Sequence, residues 1–220
     1  MNPSHVTLSE LAINRPGAVG VFQHHGLDFC CHGRRSLAEA CTEKGLDPRS
    51  VADEIESAEP VRSVITDWTS RPLTELVDFI ERRYHAALRA DLPVLIELAR
   101  KVERVHADKP ACPRGLTSHL EAMAEAIDDH LAKEEQVLFP IVRAGRGRMA
   151  ACPVQVMERE HEDHGRSLER LKELTGGFRV PAEACASWTA LYTGLARLAD
   201  ELVEHIHLEN NVVFPRALCE

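Results

Sequence analysis

The chain has 220 residues, of which 44% are hydrophobic and 28% charged, the balance of an ordinary globular protein rather than of a disordered or fibrous one. Its formal net charge of −9 repels a phosphate backbone, so we expect no nucleic-acid partner. The first residues lack the pattern of a secretory signal, and nowhere do about eighteen apolar residues stand together. Together with seven cysteines at unrelated spacings, these features predict a cytoplasmic protein with reduced thiols and no membrane span.

Residues 1–60 are predicted to form a small helical domain. Residues 7–10 and 36–39 both have the S/T-x-x-E pattern of a capping box, and Gly26 and Gly45 are placed to end the helices that follow. Another helix is expected to begin at Asp47. Residues 61–72 keep no helical period and are assigned as a linker.

Residues 73–220 are predicted to form an antiparallel up-down four-helix bundle, which makes the fold all-α. Apolar residues recur there at helical spacing over four stretches joined by short connections. Pro140 is expected to end the second helix, and Pro153 to begin the third. The inward stripe of the second helix is predicted to contain Leu116, Leu120, Met123, Ile127, His130, Glu134 and Val137.

A repeated motif indicates a metal site inside this bundle. On the second and fourth helices the apolar stripe continues into a histidine and, four residues later, a glutamate: His130 with Glu134, and His205 with Glu209. Residues four apart lie on one helix face about 6 Å apart along the axis. Both segments follow the pattern HxxxExxV[LV]FP, so the bundle is expected to have a pseudo-twofold relation between its halves.

The first and third helices each add one inward histidine, His85 and His161. If both glutamates bridge, each of two metals receives two nitrogens and two oxygens, and an oxo or hydroxo bridge from solvent adds a fifth ligand. Imidazole and carboxylate donors without thiolate favour a pair of non-haem irons, although zinc and manganese stay open. The alternative is that the two HxxxE pairs are ordinary buried or surface ion pairs.

Four stretches of sequence resemble a known family: residues 28–31 (Asp-Phe-Cys-Cys) followed by Gly33, residues 101–110, and the two HxxxExxV[LV]FP segments. The chain resembles the RIC di-iron proteins of the YtfE and ScdA type, in which a hemerythrin-like domain follows a short cysteine-bearing domain. The resemblance implies a stress-response protein that repairs iron-sulfur clusters damaged by nitric oxide or oxidants, by donating iron or by nitric oxide chemistry. Its clients would be damaged iron-sulfur proteins. The implied metal ligands are His85, His130, Glu134, His161, His205 and Glu209.

One departure from the oxygen-carrying hemerythrins concerns the third helix. By similarity those proteins have a second histidine four residues after the first, whereas this chain has Gly165 four residues after His161. The difference argues against a simple oxygen carrier. Two other functions stay open: a sensor that binds nitric oxide or dioxygen, and a di-iron nitric oxide reductase or oxidase.

The adjacent cysteines Cys30 and Cys31 are candidate redox or iron-transfer thiols. They are expected in a turn before the capped helix at residue 36, where the helix dipole would lower a thiol pKa. Neighbouring thiols are expected to point apart, which would make them poor bidentate ligands. Short helical domains often dimerise, so a homodimer is also considered.

Weaker alternatives involve other histidines. His164 lies on the same stripe as His161 and could replace or supplement it. The pairs Glu103–His106 and Glu158–His161 would fit a ferritin-like di-iron pattern. A second metal site near the cysteines would use the histidines His24, His25 and His32.

Overall fold

The computed structural model of the chain describes residues 6–15, 17–58 and 68–219. Within these ranges the regular elements are helices, and extended pairing is limited to one isolated bridge between Thr7 and Ser36. The prediction of an all-α fold is therefore confirmed. No helix in the described ranges is both long enough and apolar enough to cross a bilayer.

The N-terminal residues form the predicted short helices. Both capping boxes are present, with the side chains of Thr7 and Ser36 accepting from the backbone N–H three residues on. Gly26 (φ 63°) and Gly45 (φ 67°) end their helices in the left-handed conformation, which glycine adopts without strain. The helices are α1 (Leu8–Asn14), α2 (Ala18–His25), α3 (Leu37–Lys44) and α4 (Pro48–Ser57).

Four long helices follow and make up the bundle. Three of them are interrupted by a π turn. The first is Leu73–Ile80, the π turn Glu81–His85 and Ala86–Val105; the second is Leu116–Lys133, the π turn Glu134–Leu138 and Phe139–Arg143; the third is Ala151–Thr175; the fourth is Ala186–Leu208, the π turn Glu209–Val213 and Phe214–Cys219. The linker assigned to residues 61–72 lies largely outside the described residues, so the domain boundaries stay a prediction.

The π turns change the register that a regular helical period predicts. In a regular helix Val137 and Leu138 would share the face of Glu134, but the extra residue in the turn moves the inward pair to Leu138 and Phe139. Val137 is 49% exposed, so its predicted place on the inward stripe is wrong. Pro140 does not end the second helix. It lies in the first turn after the π turn, where the regular backbone hydrogen bonds that a proline would break are already shifted.

The helix termini elsewhere are close to the predicted ones. The third helix begins at Ala151, two residues before Pro153, and ends at Gly176 in the left-handed conformation. Two apolar clusters divide the bundle along its length. One contains Leu88, Ile127, Leu168 and Leu202, and the other contains Ile80, Tyr84, Phe139, Met157 and Phe214. Along each bundle helix, the predicted metal ligands lie between these named members of one cluster and those of the other.

Candidate metal centre

All six predicted ligand side chains converge in the middle of the bundle. They form two groups of potential donor atoms, and in each group the atoms lie within 4.8 Å of one another. One group contains His85, His205 and both glutamates; the other contains His130, His161 and the same two glutamates. The carboxylates of Glu134 and Glu209 thus belong to both groups, and both are 0% exposed.

Each carboxylate divides its two oxygens between the two groups. Glu134 Oε2 lies 3.4 Å from His85 Nε2, and Glu134 Oε1 lies 3.4 Å from His130 Nε2. Glu209 repeats the arrangement, with Oε1 2.9 Å from His205 Nε2 and Oε2 3.3 Å from His161 Nε2. This is the placement expected of carboxylates that join two neighbouring cations.

All four carboxylate oxygens are buried, and among the described residues none of them has a partner that meets hydrogen-bond criteria, although imidazole nitrogens lie 2.9–3.4 Å away. The imidazole nitrogens also face one another, at 3.3 Å between His85 and His205 and 3.0 Å between His130 and His161. Unpaired buried carboxylates are strongly unfavourable. Cations at the two points on which the donors converge would remove that penalty, so the side chains fit a metal pair.

The protonation of these groups follows from their burial. Burial, and after it the carboxylate of Glu209, raises the pKa of Glu134 well above its ordinary value. Burial, and then the neighbouring His205, lowers the pKa of His85; burial and then His161 lower that of His130. The rings of His85 and His130 are therefore neutral and keep a lone pair for a metal.

In three of the four imidazole rings, Nδ1, the nitrogen that faces away from the donor groups, makes a hydrogen bond to another side chain. His85 Nδ1 lies 2.8 Å from Glu135, and His130 Nδ1 lies 2.9 Å from Glu160. Such bonds to the outer nitrogen fix the ring orientation and increase the basicity of the inner one. Glu135 and Glu160 thus support the rings of His85 and His130.

The other two rings differ from this pattern. His161 Nδ1 lies 2.8 Å from Asn210 Oδ1, an amide rather than a carboxylate. His205 Nδ1 is buried without a hydrogen-bond partner, and its ring stacks on Tyr84 with centroids 5.6 Å apart. Sequence reasoning missed Asn210, although its position directly after Glu209 matches that of Glu135 after Glu134.

The cysteines lie in a loop, residues 27–33, that we call the cysteine loop. Cys30 is buried and Cys31 is partly exposed, and their Sγ atoms are 3.7 Å apart. The expectation that the thiols point apart is therefore wrong, because the turn folds both toward the carboxylate of Asp28, which accepts from the Cys31 backbone N–H at 3.0 Å. The expected fall in thiol pKa is also wrong for Cys30. Its pKa is raised, first by the hydrogen bond with Cys31 and then by burial.

The cysteine loop packs directly on the bundle beside the candidate centre. Asn210 Nδ2 donates to the Cys30 carbonyl at 3.0 Å, and Asn211 Nδ2 donates to the Phe29 carbonyl at 3.1 Å. Cys31 Sγ lies 3.6 Å from the carbonyl of His161. Both cysteines also line a cavity of about 1050 Å³ between this loop and the third and fourth helices. The thiols and the metal site are therefore close neighbours.

Comparison with known proteins agrees with this architecture. A family profile described as the hemerythrin HHE cation binding domain matches residues 77–217, and the ScdA_N profile, a domain of unknown function, matches residues 4–59. A protein of Yersinia pseudotuberculosis serotype O:1b is 44% identical over 99% of both chains, and one of Escherichia coli O157:H7 is 46% identical over 96% of both. Both carry the name iron-sulfur cluster repair protein YtfE.

The chain belongs to the YtfE family. The predicted resemblance is thereby confirmed, and the bundle is a metal-binding hemerythrin domain. The identity of the metals and the assignment of the six ligands stay predictions, which the geometry supports.

The weaker alternatives find less support in this YtfE-family chain. Glu103 accepts from the Leu116 backbone N–H at 3.0 Å, and His106 lies 3.2 Å from Cys185 Sγ, so neither side chain joins the two donor groups. The ferritin-like pattern is therefore not formed.

The histidines near the cysteines have other partners. His25 pairs with Glu54 at 2.7 Å and His32 with Asp28 at 2.6 Å. In the described part of the chain, the donor group near the cysteines consists of Asp28, Cys30 and Cys31. The predicted second site with three histidines is not formed there.

Proposed function

We propose that this chain repairs iron-sulfur clusters damaged by nitrosative or oxidative stress, using a pair of non-haem irons in the bundle. The observation that carries the proposal is the division of both buried carboxylates between two imidazole groups, which is how a dinuclear centre is held. The names of the full-length relatives supply the reaction, and damaged iron-sulfur proteins of the cytoplasm would be the clients.

In this proposal His85 and His205 would hold one iron, His130 and His161 would hold the other, and Glu134 and Glu209 would bridge the two. A solvent-derived oxo or hydroxo bridge would complete the pair, which can exchange electrons and bind small molecules at open positions. Glu135, Glu160 and Asn210 keep three of the rings aimed at the metals.

The cysteine loop is proposed to receive iron on its way to a client. Asp28, Cys30 and Cys31 offer one carboxylate and two sulfur atoms within 4.8 Å of one another, directly beside His161. Because the pKa of Cys30 is raised, the loop holds its proton until a cation displaces it. The cavity next to the loop gives a client segment room to approach.

The test compares iron-loaded with metal-free protein on an iron-sulfur dehydratase inactivated by nitric oxide. Iron-loaded wild type should restore dehydratase activity, metal-free protein should not, and the Cys30→Ala, Cys31→Ala double variant should restore it more slowly. Cys219→Ala, which changes an exposed cysteine at the far end of the chain, is the control. Equal restoration by metal-free protein would contradict iron donation.

The same samples separate the two alternative functions. A sensor would bind nitric oxide reversibly without turnover. A nitric oxide reductase would consume nitric oxide catalytically under a steady supply of electrons. Either result without restoration of the dehydratase would replace the repair proposal.

A further inference from the structure

His164 is a buried polar side chain that the proposed centre leaves without a role. It is 4% exposed, its Nε2 has no hydrogen-bond partner among the described residues, and its ring meets the ring of His130 edge to face at 4.9 Å. A buried polar nitrogen without a partner is unfavourable.

The first and third helices have matching buried positions, and the two helices differ at the position of His164. After His85 the buried residues of the first helix are Leu88, Leu92, Leu95 and Ala99, and after His161 those of the third helix recur at the same spacing as His164, Leu168, Leu171 and Thr175. His164 therefore stands where the pseudo-twofold axis places Leu88 in the other half.

The same layer is apolar on the other helices. Ile127 precedes His130 by three residues, and Leu202 precedes His205 by three, so both lie at the same end of the centre as Leu88. Three helices thus cover this end with aliphatic side chains, and the third helix alone contributes an imidazole.

A cavity lies beside this residue. Gly165 lines the cavity next to the cysteine loop, and a side-chain carbon added to it would meet no atom within 4 Å. The cavity therefore extends to the residue that follows His164 in the sequence.

We infer that His164 is a positioning residue whose Nε2–H donates a hydrogen bond to a small anion bound at an open position of the centre. An imidazole ring always carries at least one N–H, and the otherwise aliphatic layer of described residues gives that donor no competing partner. This inference rests on the proposed iron pair.

The test uses azide as the probe and compares wild type with His164→Leu, which reproduces the residue of the other half. Removing a hydrogen bond to a charged ligand should raise the azide dissociation constant by roughly tenfold to a hundredfold. The visible absorption of the iron-loaded protein, measured during an azide titration, gives this constant. His164→Gln, which keeps a donor, should recover part of the affinity. Leu88→Met is the matched control in the same layer and should bind azide as wild type does.

A second measurement does not depend on iron. Because His164→Leu removes an unpartnered polar group, the metal-free variant should melt at a higher temperature than metal-free wild type. An unchanged azide affinity in His164→Leu, with two irons bound, would overturn the inference alone. A changed Mössbauer spectrum of the azide-free variant would overturn it too, because His164 would then be a ligand. Absence of iron from wild type would instead refute the proposed function.

Discussion

Glu134 and Glu209 are the residues that reconcile a stable helical core with a metal site. Their carboxylates lie in the interior with no hydrogen bonds, a placement that opposes folding unless cations balance them. The metal-free bundle is therefore less stable than one with an apolar core would be, but its binding site is already formed. The repeated HxxxE pattern indicated both residues because each glutamate is the first residue of its π turn, and regular helical spacing holds up to that residue.

Replacement of Glu134 by leucine tests this trade-off. We predict that Glu134→Leu stabilises the metal-free protein by about 1–3 kcal/mol, because a buried polar group without partners is exchanged for an apolar one of similar size. Urea unfolding of metal-free samples measures the difference. The exposed Glu125→Leu serves as control and should change stability little. A metal-free Glu134→Leu less stable than wild type would contradict the account.

Cys185 is a second residue with unusual chemistry, far from the cysteine loop in sequence. It is the N-cap of the fourth helix, is exposed, and has His106 Nε2 at 3.2 Å from its Sγ. The hydrogen bond with His106, followed by backbone N–H groups of the helix, lowers the pKa of Cys185 to about 7.

Alkylation kinetics test this assignment. Because the thiolate is the reactive form, the rate of Cys185 alkylation by iodoacetamide should rise with pH and reach half its maximum near pH 7. In His106→Leu the midpoint should move to higher pH. Mass spectrometry of the peptide that contains Cys185 gives the rate at each pH, and a midpoint that His106→Leu leaves in place would refute the role of the histidine.

The π turns are the elements that sequence periodicity did not predict. All three begin or end at a proposed ligand, namely His85, Glu134 or Glu209. A one-residue offset leaves the composition of a stripe nearly unchanged, so the apolar pattern continues across it and only single residues such as Val137 are misplaced. The four helices and the convergence of the six candidate ligands could thus be predicted, whereas the local register after each glutamate could not.

The π turn of the fourth helix also joins the centre to the cysteine loop. Asn210 bonds both His161 and the Cys30 carbonyl, whereas Asn211 bonds His207 and the Phe29 carbonyl. No periodic signal in the sequence marks these contacts, because they join segments about 180 residues apart through backbone carbonyls. The packing of the loop on the bundle was for this reason beyond sequence analysis.

Two neighbouring substitutions separate the roles of these asparagines. Asn210→Ala should lower iron affinity by roughly tenfold to a hundredfold, because His161 loses the bond that orients it. Asn211→Ala should loosen the cysteine loop and leave iron affinity near that of wild type. Iron titration and hydrogen exchange of residues 27–33 measure the two effects, and equal iron affinities in the two variants would rule out an orienting role for Asn210.

The fold brings two kinds of potential metal-binding residue close together. A helical bundle supplies histidines and carboxylates from all four helices, and a small N-terminal domain supplies thiols beside one of those histidines. The bundle contains the histidine and carboxylate donors, and the cysteine loop lines the cavity. The repair function proposed here depends on both, and first on the bundle's capacity for two irons.

Metal analysis combined with Mössbauer spectroscopy after anaerobic reconstitution with ferrous iron tests that capacity most directly. Wild type should hold two irons per chain with the spectrum of a coupled pair after oxidation, and Glu134→Ala and Glu209→Ala should each lose the coupled signal. A wild-type protein that binds one iron or none, or a coupled signal that survives both substitutions, would contradict the proposed centre.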